Sequence, residues 1–166
     1  MKVTLHLAIS ADGFIAKLDG DSSWVAPADE ALFKERAREA GCLVVGKKTF
    51  DQYHGEIYPV ADVLNIVMSR HPQPEEAGIL YVSSPQEAIA VAQERSAGLL
   101  IAGGGLVSGS FLEAGLIDEV FLSVHPLFLY DGIRPFGTVK ADAKLQFIDS
   151  RELGDGLIEL HYGVQK

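Results

Sequence analysis

The stretch CLVVGKKTF, residues 42–50, is a short apolar run that ends in a glycine and is followed by two lysines and a threonine. An apolar run without polar alternation is typical of a strand buried on both faces, as in a parallel sheet. The whole sequence carries a formal net charge of −9. Two adjacent cations at the end of such a strand therefore indicate a site for one small anion, and a solvated turn is the alternative.

Further apolar runs of strand length recur along the chain, at 3–9, 63–69, 79–82, 98–103, 118–125, 143–150 and 157–165. Helical patterns lie at 28–40, 83–95 and 105–115. Single helices between strands require crossover connections, which predicts a mainly parallel sheet covered on both faces. No helical pattern separates the last three strands, so an antiparallel edge is expected there. The predicted class is α/β with a mixed sheet.

The composition predicts one domain that spans residues 1–166. The acidic balance disfavours nucleic acid and anionic membranes as partners, because it repels phosphate polymers. No apolar run approaches the roughly 20 residues of a membrane span, and residues 1–6 lack a signal-peptide pattern. The single cysteine, Cys42, excludes an internal disulfide and favours a buried thiol in a reducing compartment. We therefore expect a cytoplasmic protein.

Residues that directly follow three of the runs form candidate ligand loops, because ligands of open parallel sheets bind outside the carboxyl ends of the strands. They are Gly46, Lys47, Lys48 and Thr49, then Ser69 and Arg70, and finally Gly103, Gly104 and Gly105. Cations and hydroxyl groups beside free helix amides bind phosphate. Each loop alone is also compatible with a surface turn or a close helix contact. Their joint placement favours a dinucleotide diphosphate with an extra phosphate.

Asp29 is a second kind of candidate, at the start of the predicted helix 28–40. An acidic residue is favoured there by the helix dipole, so helix capping is one interpretation. The other is a carboxylate beside the apolar rings of Trp24 and Phe33, with two oxygens that grip a planar amidine-type heterocycle. Asp29 and Phe33 are four positions apart and therefore share one helical face.

The histidines predict no metal site, because no pair has the spacing of metal ligands with a carboxylate. They are His6, His54, His71, His125 and His161. Ser110, in the stretch SGSFL, lacks the nucleophile-elbow pattern of hydrolases.

Taken in order, these segments resemble the dihydrofolate reductase superfamily, which includes dihydrofolate reductases and the reductase domain of riboflavin-pathway pyrimidine reductases. The resemblance covers nearly the whole chain. It is carried by LAISADGFIA (7–16), WVAPADEALFK (24–34), VVGKKTF (44–50), NIVMSR (65–70), LIAGGGLVSGSFL (100–112) and LIDEVFLSVHP (116–126). The implied fold is a three-layer α/β/α arrangement with a mixed sheet.

The resemblance implies NADPH as the cofactor. Lys47, Lys48 and Thr49 would hold its phosphates, and Ser69 and Arg70 would face the 2′-phosphate of the adenosine. The full implied set is Ala8, Ile15, Gly46, Lys47, Lys48, Thr49, Ser69, Arg70, Ser84, Ala102, Gly103, Gly104, Gly105, Leu106 and Val107. The family also carries a cis peptide bond between the first two glycines of the third loop, so we expect one between Gly103 and Gly104.

For the substrate, the resemblance implies that Asp29 binds the heterocycle and promotes protonation of its imine nitrogen. Ser123 would support this carboxylate, and Trp24 would close a loop over the site. The remaining substrate-binding residues that it implies are His6, Ala8, Phe33 and Tyr53. NADPH would deliver hydride to a ring carbon, and the neighbouring nitrogen would take a proton from water.

Departures from the family pattern leave three functions open. The first is an NADPH-dependent reductase of a pterin-type heterocycle, foremost 7,8-dihydrofolate, although residues 61–64 lack the arginine that binds the folate tail. The second is reduction of 5-amino-6-(5-phosphoribosylamino)uracil, favoured by the segment 127–137; its phosphate needs cations, for which Lys17 and Arg134 are available. The third is a nucleotide-binding homodimer without catalysis, with the apolar stretch 124–129 either at an interface or on the sheet.

Overall fold

The computed structural model describes residues 1–71, 73–74, 76–95 and 98–166. Its strands are β1 (Val3–Ser10), β2 (Cys42–Gly46), β3 (Leu64–Met68), β4 (Ile79–Val82), β5 (Leu99–Ile101), β6 (Glu119–His125), β7 (Lys144–Glu152) and β8 (Ile158–Gln165). Its helices are α1 (Pro27–Ala40), α2 (Lys47–Gln52), α3 (Pro85–Glu94) and α4 (Gly105–Glu113). All of the predicted strands and helices are therefore present. At most of their ends, the observed bound differs from the predicted one by one or two residues.

All eight strands form one sheet in the order β4-β3-β2-β5-β1-β6-β8-β7. The pairs from β4 to β6 are parallel, while β8 is antiparallel to both β6 and β7. The prediction of a mainly parallel sheet with an antiparallel C-terminal edge is confirmed. Because β7 is antiparallel to β8, it points the same way as the parallel strands. Among the described strands, β8 alone runs in the opposite direction.

The sheet separates two hydrophobic clusters, one on each face. Along β2, Cys42 and Val44 pack with side chains of α3 and α4, while Leu43 and Val45 pack with those of α1 and α2. Both faces of the strand are buried because successive side chains point in opposite directions. The three-layer α/β/α fold is therefore confirmed.

Local sequence signals set the ends of the helices. Pro27 occupies the first position of α1, and Gly41 ends this helix with φ of +80°. At α3, the Ser84 hydroxyl accepts a hydrogen bond from the Glu87 amide, while the Glu87 carboxylate accepts from the amide and hydroxyl of Ser83. The predicted pairing of Ser84 with Glu87 is thus present.

The turn after β5 differs from the expectation. The strand ends at Ile101, two residues earlier than predicted, and the peptide bond between Gly103 and Gly104 is trans. The prediction of a cis bond there is wrong. Gly103 and Gly104 have φ of +101° and +80°, so two successive glycines with positive φ turn the chain into α4 instead.

Among the residues that the structure describes, no helix is both long and apolar enough to cross a bilayer.

Candidate active site

A cleft of about 1360 Å³ opens at the carboxyl ends of the parallel strands, where the sequence pattern predicts a ligand site. Most of the predicted site residues line it: His6, Ala8, Ile15, Asp29, Phe33, Gly46, Lys47, Lys48, Thr49, Tyr53, Ser69, Arg70, Ala102, Gly103, Gly104, Gly105, Leu106 and Val107. The three that do not are Trp24, Ser84 and Ser123.

The loop between β5 and α4 forms one wall of the cleft, and it is made of backbone. A Cβ atom added to Gly104 would lie 3.1 Å from Thr49 Oγ1, and one added to Gly105 would lie 2.4 Å from the Arg134 carbonyl oxygen. The Gly46 amide donates to the Gly103 carbonyl at 3.3 Å, which joins the first and third loops. Gly104 and Gly105 therefore let this loop pack closely on its neighbours, whereas a Cβ atom added to Gly103 would meet nothing within 4 Å.

Lysine and arginine side chains lie at the carboxyl ends of β2 and β3. Lys47 and Lys48 are the first two residues of α2, and Lys47 Nζ contacts both Asp51 carboxylate oxygens at 2.6 and 2.5 Å. Lys48 is exposed and has no acidic partner within the described part of the chain. Arg70 follows β3 on the same side of the cleft. These three side chains make this end of the cleft electropositive within an acidic protein.

At the other end of the cleft, Asp29 is the third residue of α1 and is only 2% exposed. Its Oδ1 lies 3.1 Å from Nε2 of His6, a buried residue on β1. The other ring nitrogen of His6, Nδ1, lies 2.9 Å from Nη1 of Arg36. Because arginine only donates, Nδ1 must accept, so the ring proton sits on Nε2 and is donated to Asp29. His6 is thus the neutral Nε2–H tautomer.

Arg36 is held in place by a second buried carboxylate. Its Nη1 and Nη2 donate to the two oxygens of Glu159 on β8 at 2.6 and 2.7 Å, and its guanidinium carbon lies 3.7 Å from the centre of the Phe121 ring. Arg151 Nε also donates to Glu159 at 2.8 Å. This planar, two-pronged geometry suits arginine and not lysine. A network of hydrogen-bonded side chains therefore extends from the cleft through the protein to the β7–β8 edge.

These neighbours determine the charge of Asp29. Burial raises the pKa of its carboxyl, but the hydrogen bond from His6 and the nearby Ser123 hydroxyl lower it, and the resulting pKa lies below the ordinary value of 3.8. Asp29 is therefore ionised at neutral pH. An ionised carboxylate accepts hydrogen bonds and has no proton to supply.

Trp24 is not among the residues that line the cleft, and its closure over the site stays a prediction. Its ring packs edge-on against His125 with centroids 5.1 Å apart, and its Nε1 is buried without a partner among the described residues. His125 accepts from the Ala26 amide at 3.0 Å and donates to the Ser123 carbonyl oxygen at 3.0 Å. The Trp24 segment is thus fastened to β6, where it fixes the entry into α1.

Ser84 and Ser123 do not line the cleft either. Ser84 is the N-cap of α3, and its neighbours Ser83 and Pro85 line the cleft in its place. Ser123 is fully buried on β6 and makes no hydrogen bond through its hydroxyl to another described residue. It lies close enough to Asp29 to lower the pKa of that residue, but it does not line the cleft.

The sequence reasoning missed the roles of Arg36, Glu159 and His125. A signal was present for two of them. Arg36 falls on the apolar face of α1, and Glu159 interrupts the apolar run LIEL of β8. A charged residue at a core-facing position requires a buried partner, although the pattern does not say which one.

The fold and the cleft define a three-layer α/β protein with a ligand site that is cationic at one end and carries a buried carboxylate at the other. Residues 2–123 match the family model Dihydrofolate reductase. The chain belongs to the dihydrofolate reductase family. The predicted membership and the prediction of a reductase of this kind are confirmed.

Individual proteins similar to this chain fall into several groups. The uncharacterized protein YwjB of Bacillus subtilis is 24% identical over 97% of both chains. The riboflavin biosynthesis protein RibD of Mycobacterium tuberculosis is 28% identical over 76% of this chain, which spans 42% of the length of RibD. The dihydrofolate reductase of Enterococcus faecalis, solved with NADP(H) and RAB-propyl, shares the fold with a TM-score of 0.80 at 22% identity, covering 99% of this chain and 97% of that one.

Proposed function

We propose that this protein is an NADPH-dependent reductase of a pterin-type heterocycle. The observation that carries the proposal is the buried, ionised Asp29, held by a neutral donor at the end of the cleft away from the cations. Membership of the dihydrofolate reductase family supports the reaction class. The solved complex of the Enterococcus faecalis enzyme with NADP(H) supports the choice of cofactor.

The residues at the cationic end fit a dinucleotide. A Cβ atom added to Gly103 would meet nothing within 4 Å, so a flat ring system or a diphosphate can lie against the backbone there. Lys48 and Arg70 supply charge for phosphate groups, and Lys47 can exchange Asp51 for a phosphate oxygen. Because two or more cations converge here, the phosphorylated cofactor NADPH is favoured over NADH.

Asp29 suits a heterocycle that presents an amidine-type pair of N–H donors. His6 takes one hydrogen-bonding direction of Oδ1, which leaves Oδ2 and the other lone pair of Oδ1 for a ligand. Phe33 lies one turn further along α1 and packs edge-on against His6 with ring centroids 5.8 Å apart. The ligand therefore meets a carboxylate and an aromatic ring from the same helix.

The reaction is the reduction of a ring C=N bond. When bound, NADPH supplies a hydride to the ring carbon and leaves as NADP⁺, and the ring nitrogen takes a proton from water. Asp29 promotes this step by binding the ring as an anion, because a negative charge beside the amidine raises the basicity of the conjugated imine nitrogen. A direct proton transfer from Asp29 is disfavoured by its lowered pKa.

A second candidate is reduction of the riboflavin-pathway pyrimidine 5-amino-6-(5-phosphoribosylamino)uracil. The similarity to RibD favours it. Its ring also presents amide and amine donors to a carboxylate. The two candidate substrates differ in what is attached to the ring, and the pyrimidine carries a phosphorylated sugar.

The test is NADPH oxidation by the purified protein with a panel of dihydropterins and with the pyrimidine. Asp29→Asn is compared with Glu35→Gln, which neutralises an exposed carboxylate on the same helix that does not line the cleft. We expect Asp29→Asn to lose about 100-fold or more in kcat/KM and Glu35→Gln to lose little. NADPH binding, measured by calorimetry, should survive in both variants.

Two other results would contradict the proposed function. Turnover that is unchanged in Asp29→Asn would remove the carboxylate from the mechanism. NADPH binding without turnover of any substrate in the panel would favour the binding protein without catalysis.

A further inference from the structure

Carboxylates outnumber cations among the charged side chains that line the cleft. Its cationic lining residues other than histidine are Lys47, Lys48 and Arg70, all at the strand ends that would hold the cofactor. Its acidic lining residues are Asp19, Asp21, Asp29, Glu30 and Glu56. Asp29 and Glu30 belong to α1, which contributes no cation to the lining among the described residues.

The substrate half lies between α1 and the segment 53–58. Phe33 and Tyr58 hold these two walls together, with ring centroids 6.2 Å apart. Glu30 belongs to the α1 wall and Glu56 to the opposite one, and both line the cleft. A substituent on a ring bound at Asp29 consequently passes carboxylates as it leaves the cleft.

Two lysines beside the lining carboxylates are already engaged and do not line the cleft. Lys34 Nζ contacts Glu30 Oε1 at 2.5 Å, and Lys17 Nζ contacts Asp21 Oδ2 at 2.7 Å, so these contacts offset both charges of each pair. Arg134, the other cation considered for a substrate phosphate, is also absent from the lining. Asp19 and Glu56 have no ion-pair partner within the described residues. An anionic tail would therefore meet these two carboxylates and, among the described residues, no free cation.

We propose that the substrate is a dihydropterin whose substituent is short and uncharged or cationic, and not one with a carboxylate or phosphate tail. This inference rests on the proposed function and narrows it. It disfavours both 7,8-dihydrofolate, which ends in a glutamate, and the phosphoribosyl pyrimidine. Two or more like charges at the mouth of a cleft reduce the affinity of an anion by about tenfold or more.

The test compares 7,8-dihydrobiopterin with 7,8-dihydrofolate, which share the ring and differ in the tail. Binding to the NADPH complex is measured by calorimetry at low and high salt, beside turnover. We expect 7,8-dihydrobiopterin to bind about tenfold tighter. Added salt should strengthen the binding of dihydrofolate, because it screens the repulsion, and leave dihydrobiopterin unchanged.

A pair of charge reversals tests the cause. Glu56→Lys places a cation at the mouth and should tighten dihydrofolate about tenfold. Glu39→Lys makes the same change of net charge on an exposed part of α1 that does not line the cleft, and should have no such effect. Equal effects of the two variants would show that the mouth carboxylates do not select the substrate.

The remaining outcomes separate this inference from the function on which it rests. Tighter binding of dihydrofolate than of dihydrobiopterin would overturn the inference and leave the reductase intact. Binding of NADPH with neither pterin bound would overturn both.

Discussion

Arg36 and Asp29 lie two turns apart on α1 and are joined through one imidazole: Arg36 Nη1 is 2.9 Å from His6 Nδ1, and His6 Nε2 is 3.1 Å from Asp29 Oδ1. The arginine thereby decides which nitrogen of His6 carries the proton. A neutral donor leaves the negative charge of Asp29 available to a ligand, whereas an imidazolium would offset it. Arg36 acts on the site without lining it, and it is a positioning residue.

The tautomer of His6 is a direct prediction. Long-range ¹H–¹⁵N correlation spectra of the imidazole should show a protonated Nε2 and an unprotonated Nδ1 in the ligand-free protein at neutral pH. Arg36→Lys should disturb this pattern, because one ammonium group cannot keep both the two-pronged contact with Glu159 and the donation to Nδ1. Arg38→Lys, an exposed site on the same helix, is the control. A wild-type ring protonated at Nδ1 would contradict the assignment.

Arg36 and Arg151 both contact the buried Glu159, but their replacement should lower the free energy of unfolding by very different amounts. Arg36→Met leaves Glu159 charged and buried without its main partner, which should cost about 3–5 kcal/mol of unfolding free energy. Arg151→Met removes a half-exposed partner of the same carboxylate and should cost about 1 kcal/mol or less. Urea denaturation measures both values.

A double variant checks the reason for that asymmetry. Arg36→Met combined with Glu159→Met removes both charges, so it should recover most of the stability lost in Arg36→Met alone. A double variant as unstable as the sum of the single ones would show that packing, and not an unpaired charge, causes the loss.

The pKa values of Asp29 and Glu159 predict sensitivity to acid. Burial raises the pKa of Glu159, but the hydrogen bonds from Arg36 and Arg151 lower it below the ordinary 4.5, just as that of Asp29 lies below 3.8. A carboxyl whose pKa is lower in the folded state stabilises the fold above its unfolded pKa, and this contribution is lost as the pH falls through the folded pKa. The unfolding free energy should therefore decline from about pH 5 downward.

Urea titrations across that range measure this slope. Asp29→Asn should flatten the slope, because one of the titrating groups is removed. Asp142→Asn, at an exposed position, should leave it as in the wild type. Identical slopes in all three proteins would rule out a contribution from Asp29.

The close approach at Gly105 predicts that alanine is not tolerated there. Its Cβ would lie 2.4 Å from the Arg134 carbonyl oxygen, which is backbone and cannot rotate away. Gly105→Ala should cost about 1–3 kcal/mol and weaken NADPH binding as the loop shifts. Gly163→Ala, where the nearest atom is 3.7 Å away, should change neither value. Calorimetric titration with NADPH and urea denaturation measure the two effects.

Much of the fold was predictable because its signals are local. The bounds of β2 and β4 match their apolar runs residue for residue. Pro27 marks a helix start through its fixed backbone angle, and Ser84 marks one through its capping hydroxyl. The three ligand loops followed from the rule that ligands bind at strand ends. These predictions need no knowledge of which distant residues meet.

The network of hydrogen-bonded side chains behind Asp29 was not predictable in the same way. Arg36 and Glu159 are 123 residues apart in the chain, and no periodicity pairs a helix residue with a given position on a distant strand. The contact of Trp24 with His125 on β6 was not predictable for the same reason, because these two residues are far apart in the sequence.

Glu159 also has a consequence for how the protein is made. It lies on β8, which follows every other element in chain order. A ribosome therefore releases His6, Asp29 and all three ligand loops well before the residue that holds Arg36. A fragment that stopped at residue 123, where the family match ends, would keep all three loops at the strand ends and lack this anchor. Synthesis thus completes the carboxylate end of the cleft last.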